Sequence, residues 1–354
     1  MPEPLNEPQV QYATTSDGVK IAFWVVGRGP ALFNMPPMPY SNIRKEWAFK
    51  PQRRFYEDLA SGMTVIRYDC RGAGLSDRAV SDFSIEAYAK DILAIADHLG
   101  LETFGLFGFG HSGGIAINLA AACPKRVSHL VLWCCYPRGA DYGRGPRVKL
   151  LESLMDEDWD FWSRAESLRL SEYEGGTTSA WFLDYIRDSV TEEGAKAAVR
   201  ELRKIDVTKA MSRVLAPTLV LHRLGLATIT VEMAREMAST VPNARLALYE
   251  GTWIVPFFDG TGPEIAATIR SFMNEPHAVP AAPRDASDPP PSVLTPRERQ
   301  VLALVAGGRT SRAISDELDL SVRTVGRHIT NIYAKIGART RGDAIAYAFR
   351  HRLT

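Results

Sequence analysis

Residues 106–117 read Leu-Phe-Gly-Phe-Gly-His-Ser-Gly-Gly-Ile-Ala-Ile. The apolar start has the character of a buried strand, and the apolar end that of a helix. The glycines between them permit a sharp strand-to-helix turn. A turn of the form G-x-S-x-G lifts a serine to the top of a sheet as a nucleophile. Two frames fit this stretch. Gly110-His111-Ser112-Gly113-Gly114 places Ser112 at the nucleophile position, whereas Gly108-Phe109-Gly110-His111-Ser112 places a glycine there. The choice between them decides whether the fold carries chemistry.

Working outward, strand and helix signals alternate. Gln9 to Thr14 and Val19 to Val26 flank Ser16-Asp17-Gly18 as a hairpin. Short apolar strands are expected at Ala31–Asn34, Thr64–Asp69, Phe104–Phe107, Leu130–Trp133, Ala216–His222 and Ala244–Tyr249. Helical spacing marks Ile85–Leu99, Gly114–Ala122, Thr230–Val241 and Pro263–Met273. This alternation implies a doubly wound, mostly parallel sheet covered on both faces. From Arg138 to about Ala210 the pattern becomes purely helical and rich in aromatics, including Trp159, Trp162, Phe182 and Tyr185. Most of these are expected to pack as core, and a few to line a cavity.

At the exit of the Thr64–Asp69 strand stands Asp69-Cys70-Arg71-Gly72-Ala73-Gly74-Leu75-Ser76-Asp77. This D-x-R-G-x-G-x-S-D pattern resembles the α/β-hydrolase superfamily. The resemblance implies a helical cap over about 138–210 and a triad in the order Ser, Asp/Glu, His. It also implies an E-G-x-x-H loop after the last strand. Here that loop reads Glu250-Gly251-Thr252-Trp253-Ile254, with Ile254 at the histidine position. The acid position after Leu221-His222-Arg223-Leu224-Gly225 is Leu226. His98, His111, His129 and His222 come too early in the chain to serve as the base, and His277, His328 and His351 too late. The family's proline after the elbow helix, here Pro124, falls at its usual distance from Gly110 and two residues early from Ser112. Gly110 is therefore read as the nucleophile position. The loop Met35-Pro36-Pro37-Met38-Pro39 stands where an oxyanion-hole amide is usual, and its prolines lack the N–H.

Gly, Leu and Ile at the three catalytic positions predict no acyl transfer. The expectation is a cavity between sheet and cap that holds a small, largely apolar effector without cofactor or metal. Its expected lining is Met35, Gly110, His111, Trp159, Trp162, Phe182, Tyr185, Leu226, Trp253 and Ile254. Two alternatives stay open: a serine hydrolase acting through Ser112, and a domain that senses a protein partner.

The chain has 354 residues and a net charge of +1, unevenly spread. From Val293 onward eleven Lys/Arg face five Asp/Glu, a net +6, leaving −5 for the rest. A basic tail on an acidic body points to an anionic partner for the tail alone. A Pro/Ala-rich linker over 276–292 separates the two, giving domains at 1–275 and 293–354. Leu294-Thr295-Pro296-Arg297-Glu298-Arg299 opens the tail with a capping box, Thr295 to Glu298. Helices are expected up to Gly307-Gly308, over Ser311–Leu318, over Val322–Ile336 and over Arg341–His351.

This four-helix spacing, with Ser321-Val322-Arg323-Thr324-Val325 and His328-Ile329-x-Asn331-Ile332-x-x-Lys335-Ile336, resembles the LuxR-type helix-turn-helix domain. The resemblance implies double-stranded DNA as partner, with the third helix in the major groove. Arg327 is the first choice for a base contact, with Arg323, Thr330 and Asn331 on the same face. Thr310, Ser311, Thr324, Lys335 and Arg339 are expected at phosphates. Gly326 departs from the lysine usual in the family. The fourth helix implies a homodimer on a two-half-site operator, with RNA polymerase a further candidate partner. Four cysteines without a C-x-x-C pair, no leader and no long apolar run lead to the expectation of a cytoplasmic protein with no membrane role.

Overall fold

A computed structural model describes residues 6–276 apart from 143 and 174, residues 294–306, 309 and 311–336, and Ala338, Ala344, Ala348 and Leu353. The chain divides into two compact units, Met1–Val279 and Pro280–Thr354.

The first unit is built on one eight-stranded sheet. Strands β1 (Gln11–Thr14) and β2 (Lys20–Gly27) form the expected hairpin, paired antiparallel. The remaining strands are β3 (Ala31–Asn34), β4 (Thr64–Tyr68), β5 (Phe104–Phe109), β6 (Val127–Trp133), β7 (Thr218–Arg223) and β8 (Ala244–Tyr249). The order is β1-β2-β4-β3-β5-β6-β7-β8, parallel from β4 onward. Successive side chains of a strand point to opposite faces, so each strand feeds two cores. On β5, Leu106 joins Phe33, Ile66 and Leu130 on one face, while Phe107 joins Leu32, Val65 and Val131 on the other.

Helices α1 (Ile43–Ala48) and α2 (Lys50–Ala60) fill the stretch between β3 and β4. The sequence reading assigned nothing there. The Asn42 side chain caps α1 by accepting from the Lys45 N–H at 3.1 Å, and a proline sits in the first turn of α2. Helix α3 (Ile85–His98) follows β4, and α4 (Ser112–Ala122) follows β5. The strand exit after β4 is pinned as its residue types foretell. Asp69 accepts from the Ile43 and Leu75 N–H groups at 2.9 and 2.8 Å, and Arg71 donates to Asp91 at 2.8 Å.

Helix α4 begins two residues earlier than its apolar pattern implied. Close packing makes that possible: a Cβ at Gly108 would stand 2.9 Å from the Gly113 Cα, and one at Gly113 would stand 2.3 Å from the Cys135 Sγ. The glycines let the helix lie directly on β5 and β6.

Between β6 and β7 the chain forms α5 (Gly139–Tyr142), α6 (Pro146–Glu157), α7 (Trp159–Leu170), α8 (Gly176–Ser189), α9 (Glu192–Lys204) and α10 (Thr208–Met211). Helix α11 (Val231–Thr240) precedes β8, and α12 (Gly262–Met273) closes the unit.

In the second unit α13 (Pro296–Ala306), α14 (Ser311–Leu318) and α15 (Val322–Ile336) pack around Leu294, Val301, Leu302, Ile314, Val325 and Ile332. The capping box is reciprocal. The Glu298 N–H donates to Thr295 Oγ1 at 3.2 Å, and the Thr295 N–H donates to Glu298 Oε2 at 2.8 Å. The linker beyond its first residue, and the helix expected over 341–351 beyond Ala344 and Ala348, lie outside the described residues.

Candidate functional site

The turn between β5 and α4 is made at Gly110, whose φ of +54° lies in the left-handed region. A Cβ built there meets nothing within 4 Å, so the position opens onto free space. Ser112 is the first residue of α4 and is fully buried. Its hydroxyl donates to the Phe109 carbonyl at 3.0 Å and accepts from the Phe109 N–H at 2.9 Å. The Met35 N–H, at the start of the proline-rich loop, donates to the Phe107 carbonyl at 3.0 Å.

A cavity of about 110 Å³ lies over this turn, roofed by the helices inserted between β6 and β7. Of the residues expected to line it, Gly110, His111, Trp162, Phe182, Tyr185 and Ile254 do. Four do not, and each has a packing reason. Met35 is wholly buried in the sheet core. Trp159 stacks behind Trp162, ring centroids 4.7 Å apart. Leu226 packs half-buried against the core beneath β7. Trp253 leans on Phe258 at 4.8 Å.

Sequence reading missed the polar part of the lining. Glu152, Glu166, Arg169 and Arg203 also stand in its lining, which is otherwise largely apolar. Arg169 donates to both carboxylate oxygens of Glu166, at 2.7 and 2.6 Å, and Arg203 pairs with Glu152. The signal was present in α7, where Trp162, Glu166 and Arg169 recur at helical spacing on one face. At the floor, His111 Nδ1 is hydrogen-bonded to the Tyr136 hydroxyl, and the His111 ring meets Tyr142 edge-on at 4.7 Å. Burial, then the Arg203 and Arg169 charges, push the His111 imidazole down to about 3. It is therefore neutral at pH 7.

Tyr185 links the roof to the sheet. Its hydroxyl donates to Glu46 Oε1 at 2.6 Å, where Arg67 also donates at 2.7 Å. The Tyr56 hydroxyl donates to the other oxygen at 2.9 Å. Glu46 and Arg67 are buried, and their attraction holds the Glu46 carboxyl below its usual range against the opposing effect of burial.

In the second unit, α15 buries Val325, Ile332 and Ile336 and exposes Arg323, Arg327, Thr330 and Asn331 on the opposite face. Among the described residues no group of His, Cys, Asp and Glu is placed to hold a metal, and no helix is long and apolar enough to cross a membrane.

Residues 292–348 match the pattern of the bacterial regulatory proteins of the luxR family, and residues 45–159 match that of the alpha/beta hydrolase fold. This chain couples an α/β-hydrolase-fold domain to a LuxR-type DNA-binding domain.

The LuxR-type domain is similar to the transcriptional regulatory protein LiaR of Bacillus subtilis, 42% identical over 64 residues, which is 18% of this chain and 30% of LiaR. The chain spans about a third of the length of the first curated relatives it matches. The hydrolase-fold domain is similar to the bifunctional esterase/perhydrolase DCH of Acinetobacter calcoaceticus, 26% identical over 267 residues, covering 68% of this chain and 91% of that protein. In structure it resembles the esterase EaEST from Exiguobacterium antarcticum, with a TM-score of 0.64 and 21% identity over 75% of this chain and 99% of that one. That likeness speaks for the fold alone.

Within the LuxR-type domain, Thr324 lies in the first turn of α15, its hydroxyl 2.8 Å from that of Ser321, and Ser311 begins α14. The ammonium of Lys335, expected at a phosphate, lies 2.7 Å from Glu298 and ties α15 to α13. Thr310 and Arg339 lie outside the described residues. Gly326 is exposed, and a Cβ there meets nothing within 4 Å, so its lack of a side chain leaves a gap in the basic face.

Proposed function

We propose that this protein is a transcriptional regulator whose hydrolase-fold domain binds a small molecule without cleaving it. What supports this reading most is that Gly110 and Ile254, read from the sequence with Leu226 as the three catalytic positions, line a cavity on the same chain as a LuxR-type domain. A glycine offers no nucleophile, an isoleucine accepts no proton, and a leucine orients no imidazole. Ser112 does not substitute. Its hydroxyl is buried and engaged at both ends by Phe109, and it does not line the cavity.

Effector occupancy acts on the presentation of the DNA-binding modules of a homodimer on two half-sites. Arg327 and Arg323 read or steer on the exposed face of α15, and Thr330 and Asn331 complete that face. Fluorescence anisotropy with DNA from the protein's own promoter region tests the regulator reading. Binding that weakens steeply between 50 and 200 mM salt is expected. Absence of salt-dependent binding would end the reading.

A further inference from the structure

The charges of the cavity all lie on one wall. Glu152 comes from α6, Glu166 and Arg169 from α7, and Arg203 from α9. The facing wall, from strand ends and their loops, presents Phe109, Gly110, Ile229 and Ile254. The cavity is thus largely apolar, and its four charged side chains all come from the inserted helices.

The two ion pairs in the roof are not equivalent. Glu166 takes two short bonds from Arg169, through Nε and Nη2, and the Tyr40 hydroxyl lies 3.5 Å away. Arg203 is not saturated. It pairs with Glu152 through Nη2, and its Nη1 reaches the Gly139 carbonyl only at 3.4 Å. Its Nε is buried without a hydrogen-bond partner. A guanidinium presents five donors, and buried donors left unmade are costly. The Arg203 guanidinium also lies 5.2 Å from the centre of the Tyr142 ring, which itself touches His111. Its positive charge adds to the larger effect of burial, and to that of Arg169, in keeping His111 neutral at the floor. A wholly apolar ligand would exclude water from Arg203 and offer its donors nothing in return. A carboxylate in the cavity would give the Arg203 Nη groups charge-assisted bonds.

Resting on the sensor reading above, we propose that the cavity takes a small carboxylic acid, with its carboxylate held by Arg203 and its apolar body laid on Phe109, Ile229 and Ile254. This sharpens the apolar effector expected from sequence into an amphipathic, anionic one.

Matched acid and alcohol probes test this on the full chain by calorimetric titration at pH 7.5: 4-phenylbutyrate against 4-phenylbutan-1-ol, and octanoate against 1-octanol. The acids are expected to bind about tenfold or more tightly than their alcohols. Arg203→Gln should bring that preference to near unity, chiefly by weakening the acids. Glu152→Gln, which removes the carboxylate competing for Arg203, should tighten acid binding severalfold. Equal binding of acids and alcohols overturns the carboxylate assignment and leaves the sensor reading standing. Silence from both series counts against both. Should Arg203→Gln fail to fold by circular dichroism, Glu152→Gln decides: unchanged or weaker acid binding overturns the proposal.

Discussion

The Ser112 hydroxyl bridges the N–H and the carbonyl of Phe109, at 2.9 and 3.0 Å. It closes the end of β5 onto the first turn of α4, a structural task for the serine that most resembles a nucleophile. Ser112→Ala is therefore expected to act on stability. Leaving two buried backbone groups unpaired costs about 1–3 kcal/mol, read as a lower urea midpoint with an unchanged slope. Unaltered stability would mean that the hydroxyl is free for other work.

Glu46, Arg67, Tyr56 and Tyr185 join the roof of the cavity to the sheet through one buried carboxylate. Removing one partner of a buried pair leaves the other charge stranded, so Arg67→Met should cost about 3–5 kcal/mol. Tyr185→Phe removes only one bond and should cost about 1–3 kcal/mol. The two are distinguishable by chemical denaturation. A smaller loss for Arg67→Met than for Tyr185→Phe would contradict the central place of the ion pair.

His111 supplies a pH signature. Its folded-state value of about 3 lies below the unfolded value near 6.5. Between those values the unfolded chain binds the extra proton, so stability falls as pH drops from 6.5 toward 3. Above 6.5 the contribution is fully present and flat. His111→Gln stays neutral throughout and should lose less stability than the wild type between pH 7 and pH 4.5. Parallel pH profiles of the melting temperature would exclude this assignment.

On the DNA side, Arg327 is exposed on the free face of α15, and Lys335 is tied to Glu298. Arg327→Ala is expected to weaken specific binding by about 1–3 kcal/mol, that is, about 5- to 150-fold, and to relax preference at one base. Lys335→Ala should instead lower the stability of the LuxR-type domain, with a small change in the salt slope. Anisotropy titrations at several salt concentrations separate the two.

Much of this was legible in the sequence because it rests on local pattern. The hairpin around Gly18, the alternating strands and helices, and the Thr295–Glu298 box each follow from a few adjacent residues. Gly110 could be placed by counting to Pro124, and it occupies the left-handed turn. Other features depend on contacts distant in sequence. Helix α1 is six residues long and shows no period. Arg203 and Glu152 lie on different helices, about fifty residues apart in sequence, and meet only over the cavity. Lys335 has the residue type of a phosphate contact, and only the packing of α15 on α13 brings it to Glu298.

The central claim is that this cavity holds its ligand without acyl transfer, and hydrolysis of p-nitrophenyl butyrate by the purified full chain tests it most directly. The predicted result is release of p-nitrophenol at the spontaneous rate, the same for wild type and Ser112→Ala. Turnover by the wild type that Ser112→Ala abolishes, in a variant still folded, would contradict it.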